Sequence, residues 1–223
     1  MKPIVYAVVV TYYPRYDEFL PLIDELVQQT DRVIVVDNTD ASDDRVFEIL
    51  SNNNDIEHIN IIRLGKNLGI AAALNIGIEA AITAGCTHIL LSDQDSLPDS
   101  KMVCGLLRAE SEILLTGVKV GAVGPVYVDQ VTGIRFPFHV KEPKRLFYSK
   151  KQVNEEVPYI STISLITSGS LINAETIESV GEMCEDLFID YVDVEWCHRA
   201  ISKGFMLIGT NYGLMKHNMG NIS

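Results

Sequence analysis

Long apolar runs are missing from this 223-residue chain. No stretch reaches the roughly 18 consecutive apolar residues of a membrane-spanning helix. The run that opens at Ile4 is too short for the core of a signal sequence. Insertion into a bilayer is therefore not expected, which leaves only peripheral contact with a membrane. Cysteine is sparse: Cys86, Cys104, Cys184 and Cys197 form no C-x-x-C pair and no zinc spacing. Their simplest reading is reduced thiols in a cytosolic protein. Positive charge is short as well. The 18 Lys and Arg residues face 30 Asp and Glu, a formal net charge of -12. That balance argues against wrapping nucleic acid and against a broad basic face for anionic lipid. It still permits a local phosphate site, above all one neutralised by metal. There is no G-x-G-x-x-G after the first strand and no Walker A sequence. A Rossmann dehydrogenase and a P-loop nucleotidase are thereby disfavoured. No internal repeat, low-complexity tract or domain boundary stands out, so a single domain is expected.

What the chain does have is a regular first half. Ile4–Val10 is an apolar run ending in Thr11-Tyr-Tyr-Pro14. Phe19, Leu22, Ile23, Leu26 and Val27 follow at helical spacing. A second strand, Val33–Val36, ends at Asp37-Asn38, and Asp43 and Asp44 open a second helix. A third strand, Ile59–Leu64, ends in Gly65-Lys-Asn-Leu-Gly69, and an alanine-rich helix spans Ile70–Ala84. The fourth strand, His88–Ser92, runs into Asp93-Gln-Asp95. This alternation predicts a parallel sheet covered by helices. In such sheets ligands bind beyond the carboxyl ends of the strands. All four strands end in polar residues, namely Thr11, Asp37, Asn67 and the pair Asp93 and Asp95, and this predicts a nucleotide crevice. Two acids at the end of a buried strand are costly unless a cation meets them, and a divalent metal carrying a phosphorylated ligand would do so. The alternative is that one of them caps the helix that follows.

The second half is less regular. A helix is expected over Lys101–Leu115 and a strand over Val120–Val128. Thr132–Glu156 carries Lys141, Lys144, Arg145, Lys150 and Lys151, and reads as a solvated surface loop or as an acceptor-binding flap. Tyr159–Asn173 is strand-like, and Ser168-Gly-Ser170 within it marks either a close ligand approach or a bulge. Asp193 is expected at the start of a helix, as an N-cap or as a general base in a partly apolar setting. Glu195 is open to pairing with Arg199 one turn on. Phe205–Gly209 gives a last strand. His217 is either an ordinary surface or core residue or a second ligand beside Asp95 for a manganese-like ion. Asp-Gln-Asp-Ser also has a superficial likeness to the nucleophile motif of haloacid-dehalogenase-type phosphatases. That motif follows the first strand of its domain, whereas three strands precede it here.

Taken together, Val8-Val-Val-Thr-Tyr-Tyr-Pro14, Val35-Val-Asp-Asn38, Asn67-Leu-Gly-Ile-Ala71, Asp93-Gln-Asp-Ser96, Ser168-Gly-Ser-Leu-Ile172 and Phe188–Cys197 resemble the family 2 glycosyltransferases. The likeness covers nearly the whole chain and is nearest to bacterial rhamnosyltransferases of O-antigen and related polysaccharides. It implies an α/β, A-type glycosyltransferase fold with a mostly parallel, Rossmann-like sheet flanked by helices. Residues 1–98 would form a nucleotide-sugar-binding half and residues 99–223 an acceptor and catalytic half. It implies an inverting transfer, of L-rhamnose from dTDP-rhamnose or of a sugar from a UDP donor, to a saccharide or lipid-linked acceptor. The setting would be the cytoplasm, at the inner face of the plasma membrane. Residue by residue, it puts Asp37 on the pyrimidine with Thr11 and Tyr12 beside it, and Asn67 near the nucleotide. Asp93 would touch ribose or metal. Asp95 and His217 would bind Mg2+ or Mn2+, and Asp193 would be the catalytic base. Val192 stands where the family has glutamate, which leaves the role of Glu195 open. Family members usually continue past the histidine, so a C-terminal portion for acceptor or membrane docking is expected to be missing. The alternative to an active transferase is then a truncated nucleotide-sugar-binding domain without turnover.

Overall fold

The computed structural model describes residues 2–51, 53, 55–142 and 148–217, with the backbone alone for His217. The expected alternation holds through the first half. Strand β1 (Val5–Thr11), helix α1 (Tyr16–Gln29), β2 (Arg32–Asp37), α2 (Arg45–Leu50), β3 (Ile59–Arg63), α3 (Ile70–Thr83) and β4 (His88–Asp93) follow one another. The acidic turn then leads to a three-residue strand, β5 (Ser96–Pro98), and to α4 (Met102–Leu114). Next come β6 (Val120–Asp129), the pair β7 (Phe138–Lys141) and β8 (Tyr148–Lys151), β9 (Tyr159–Thr162) and β10 (Ser170–Asn173). Helices α5 (Ala174–Val180) and α6 (Val192–Ser202) precede the final strand, β11 (Met206–His217).

One sheet runs in the order β3-β2-β1-β4-β10-β6-β11-β5, with β9 added to β11. The strands β3, β2, β1 and β4 are mutually parallel. β10 enters antiparallel between β4 and β6, and β11 returns parallel to β6. The inner strands are valine, isoleucine and leucine runs because helices cover both faces. α1 turns Phe19, Leu22, Ile23 and Leu26 fully into the core, the helical spacing doing what the pattern requires. α3 lies close on β1 and β2 because Gly77 has no side chain, and a Cβ there would fall 2.4 Å from Val8 Cγ1. No helix among the described residues is long and apolar enough to cross a membrane.

Several expectations are corrected. Pro98 does not simply close the β4 segment, because Ser96–Pro98 pairs with β11 at the far edge of the sheet. Neither Asp93 nor Asp95 caps α4. The N-cap is Lys101, which makes no side-chain cap bond, and Asp99 Oδ1 accepts from Lys101 N–H at 3.1 Å in the turn before the helix. Thr132–Glu156 is not merely a solvated loop, since it contains the β7–β8 hairpin and buries Phe138 and Val153. Lys144 and Arg145 of its basic cluster lie outside the described residues. Tyr159–Asn173 divides into two strands with different neighbours. β11 continues past Gly209 to His217 through a register shift between Thr210 and Leu214. α5, capped by Asn173 Oδ1 on Glu175 N–H at 2.9 Å, was not expected.

Candidate active site

The acidic turn is tied down on several sides. Asp93 N–H donates to Ser168 Oγ at 2.9 Å, and Ser168 Oγ donates to Ser96 Oγ at 2.8 Å. Gln94 grips the backbone of Tyr12 twice, accepting from its N–H at 2.7 Å and donating to its carbonyl at 3.1 Å. These bonds hold the ends of β1, β4 and the turn before β10 as one unit. In the β5–β11 register, the backbone of His217 stands opposite Ser96, next in sequence to Asp95.

A cavity of about 400 Å³ opens at these strand ends, lined by Tyr12, Asn67, Asp93, Asp95 and the exposed loop residues Phe188 and Ile189, among others. Four of the expected site residues therefore share one cavity. Asn67 is positioned by Asn38, whose Nδ2 donates to Asn67 Oδ1 at 3.0 Å and whose Oδ1 accepts from Leu68 N–H at 2.8 Å. Thr11 and Asp37 are fully buried and do not line the cavity. Asp37 Oδ1 accepts from the backbone and hydroxyl of Thr39 at 3.1 and 2.5 Å. Its Oδ2 is buried with no hydrogen-bond partner, a costly state that a donor group would relieve.

A second cavity, of about 250 Å³, adjoins the first and shares Ile70, Asp93 and Ile189 with it. Asp193 and Thr167 line it. Asp193 is not the N-cap of α6. That position belongs to Tyr191, in the left-handed region at φ 64, which makes no side-chain cap bond. Asp193 is instead the second residue of the helix, and its Oδ1 accepts from Val194 N–H at 2.7 Å. Burial raises its pKa above the ordinary aspartate value, opposed by the backbone N–H groups of Val194 and Thr167. Glu195 is engaged elsewhere. Both its oxygens accept from Arg199 at 2.8 Å, and this bond holds its pKa below the usual value. Arg199 also donates to the carbonyls of Val180 and Glu182, so the pair braces the chain that precedes α6.

Among the described residues no three His, Cys, Asp or Glu side chains gather as a ready metal centre. The donor set nonetheless suits a hard divalent cation. Two carboxylates, Asp93 and Asp95, border one cavity whose described lining contains no lysine or arginine. An anionic ligand would meet only negative charge there unless a cation came with it.

The sequence assigned Gln94 no role, pointed to Ser168 only through a close ligand approach or a bulge, and showed Phe188 and Ile189 only as apolar neighbours of the acidic run. Gln94 and Ser168 act through partners 82 and 75 residues away, which no local pattern displays. Phe188 and Ile189 sit in the quoted motif, and their signal was a pair of bulky apolar residues directly before the acidic run.

A family model described as Glycosyl transferase family 2 matches residues 7–162. The dTDP-rhamnosyl transferase RfbF of Shigella flexneri is 35% identical over 228 aligned residues, covering all of this chain and 68% of that protein. The galactofuranosyltransferase GlfT1 of Mycobacterium tuberculosis is 29% identical, over 92% of this chain and 66% of that one. Among solved structures, GalNAc-T7 with UDP, GalNAc and Mn2+ superposes with a TM-score of 0.75 at 10% identity, covering 97% of this chain and 44% of that one. TarS of S. aureus superposes at 0.65 and 14% identity, over 97% of this chain and 37% of that one. The structural likenesses establish the A-type glycosyltransferase fold. The sequence relationships go further, and by them the chain belongs to glycosyl transferase family 2.

Proposed function

We propose that the chain transfers L-rhamnose from dTDP-rhamnose, with inversion and with Mg2+ or Mn2+, to a saccharide or lipid-linked saccharide in bacterial surface polysaccharide synthesis. The reaction belongs in the cytoplasm, at the inner face of the plasma membrane. The observation that carries this reading is the pair of adjoining cavities meeting at Asp93, one bordered by two carboxylates and the other by Asp193. The 35% identity to a dTDP-rhamnosyl transferase supports the choice of donor.

Residues 1–98 supply the donor side and residues 99–223 the acceptor side. Asp37, with its unpaired buried oxygen, accepts from the pyrimidine ring, while Thr11 and Tyr12 shape its surroundings. Asn67 orients the nucleotide. Asp95 would hold the metal together with His217, whose side chain lies outside the described residues, and Asp93 would meet the metal or the ribose. A bound divalent ion supplies charge neutralisation for the departing nucleoside diphosphate. Asp193 takes the proton from the acceptor hydroxyl as that oxygen bonds to the anomeric carbon. The bond from that carbon to the diphosphate breaks on the opposite face. Burial of Asp193 suits it to hold that proton.

A thermal-shift panel of dTDP, UDP, GDP and ADP, each with and without Mn2+, tests the reading. A ligand at about 100 times its dissociation constant adds roughly 2.7 kcal/mol to the folded state. A Mn2+-dependent shift with dTDP, lost in Asp95→Asn, is expected. An unchanged shift in that variant would remove Asp95 from the site. A shift with UDP alone would favour a UDP-sugar donor, the alternative to which the galactofuranosyltransferase likeness lends weight.

A further inference from the structure

Given the donor reading above, on which this rests, the transferred sugar has a defined place. Its anomeric carbon is bonded to the diphosphate on the donor side and must face the acceptor hydroxyl near Asp193. It therefore sits where the two cavities meet. The residues that line both are Ile70, Asp93 and Ile189. Two of these three are branched hydrocarbon with no polar side-chain atom, and Phe188 continues the same wall on the donor side.

That wall is built rather than incidental. The Phe188 carbonyl accepts from Ile70 N–H at 2.6 Å, fastening the loop to the first turn of α3. Gly69, at φ +86, makes room for the Phe188 ring, since a Cβ there would lie 2.6 Å from Phe188 Cδ2. Phe188 itself has φ 57 and ψ -64. Ile189 N–H closes onto Leu187 O at 2.6 Å, a three-residue turn of a rare and strained type. The loop backbone is thus fastened to α3, and the exposed side chains of Phe188 and Ile189 are carried with it to the edge of the place where the sugar must lie.

We infer that Ile70 and Ile189, positioned by Phe188, select a 6-deoxy sugar by receiving its C6 methyl group. A hydroxyl turned to the Ile70 and Ile189 side of the junction, away from the Asp93 carboxylate, would give up water and meet hydrocarbon, while a methyl there would gain by burial. An apolar pocket of this kind discriminates against an added hydroxyl by about tenfold to a hundredfold.

The matched pair for the test is dTDP-L-rhamnose and dTDP-L-mannose, which differ only by a hydroxyl at C6. Calorimetric titration of the full chain with Mn2+ measures each affinity, and dTDP alone as well. The ratio of the two sugar affinities within one protein cancels any change in nucleotide binding. The wild-type ratio should favour rhamnose by at least about tenfold. Ile189→Ser and Ile70→Ser should each narrow it severalfold, and Ile189→Val should keep it. Equal affinities for the two sugars, or a ratio that neither serine variant moves, would overturn the inference while dTDP binding still upheld the donor site. Absence of dTDP binding would remove the donor reading and this inference together.

Discussion

Burial of the Asp193 carboxyl sets a pH dependence whose sign can be worked out. Its pKa in the folded chain is raised, so a larger share of it is protonated on mild acidification than for a free aspartate of about 3.9. The base proposed above must be deprotonated to act, and transfer should fall on the acid side with a midpoint above that free value. The same shift acts on stability. The contribution of Asp193 is fully present below about 3.9 and is lost as pH rises through the folded pKa. Asp193→Asn should therefore gain stability relative to wild type over that interval. Its turnover should drop by about a hundredfold to ten-thousandfold. Transfer assays and urea melts between pH 3 and 8 check both halves, and a variant that still transfers normally would return Asp193 to a structural role. The residue type and its neighbours were legible in the sequence. Its place in α6 was not, because Tyr191 takes up a left-handed backbone conformation that the sequence does not announce. Glu195 went the other way: a carboxylate four residues before an arginine on a helix is a local pattern, and the structure fulfils it.

Among the elements, α3 and β1 show how closely packed the first half of the chain is. Gly77→Val would push a branched side chain into Val8, which already lies where a Cβ would be. Overpacking of this sort costs about 1–3 kcal/mol. A lower urea midpoint at an unchanged slope should report it; an unchanged midpoint would mean that α3 can lift off β1 freely. The strands β1, β2 and β4 were legible because each is a continuous apolar run ended by polar residues, and the edge strand β3 because its isoleucines outnumber the one interruption, Asn60. β5 was not, since three residues containing a proline form a strand only when β11 supplies the partner. β11 itself was expected to end at Gly209, and the structure carries it on to His217 through a register shift between Thr210 and Leu214. The site followed the same division. Strand-end residues were visible, and the long-range ties through Gln94 and Ser168 were not.

For the molecule as a whole, a net charge of -12 means that folding concentrates negative charge. The melting temperature without ligand should therefore rise as sodium chloride goes from about 0.01 to 0.15 M, where the screening length falls from about 30 to 8 Å. A flat response would mean that local ion pairs such as Arg63 with Asp44 and Arg199 with Glu195 already offset the repulsion.

The edge pairing of β5 with β11 also orders events in time. Ser96 sits just after the acidic turn, and the backbone opposite it is that of His217. Roughly 120 residues lie between Ser96 and His217 along the chain. At a synthesis rate of about 5–20 residues per second, the first waits on the ribosome for several seconds before the second exists. During that interval Asp93 and Asp95 have been made but lack the strand that flanks them. The nascent chain therefore carries its acidic pair before the far edge of the sheet can close beside it, and the proposed donor site is completed only when β11 docks.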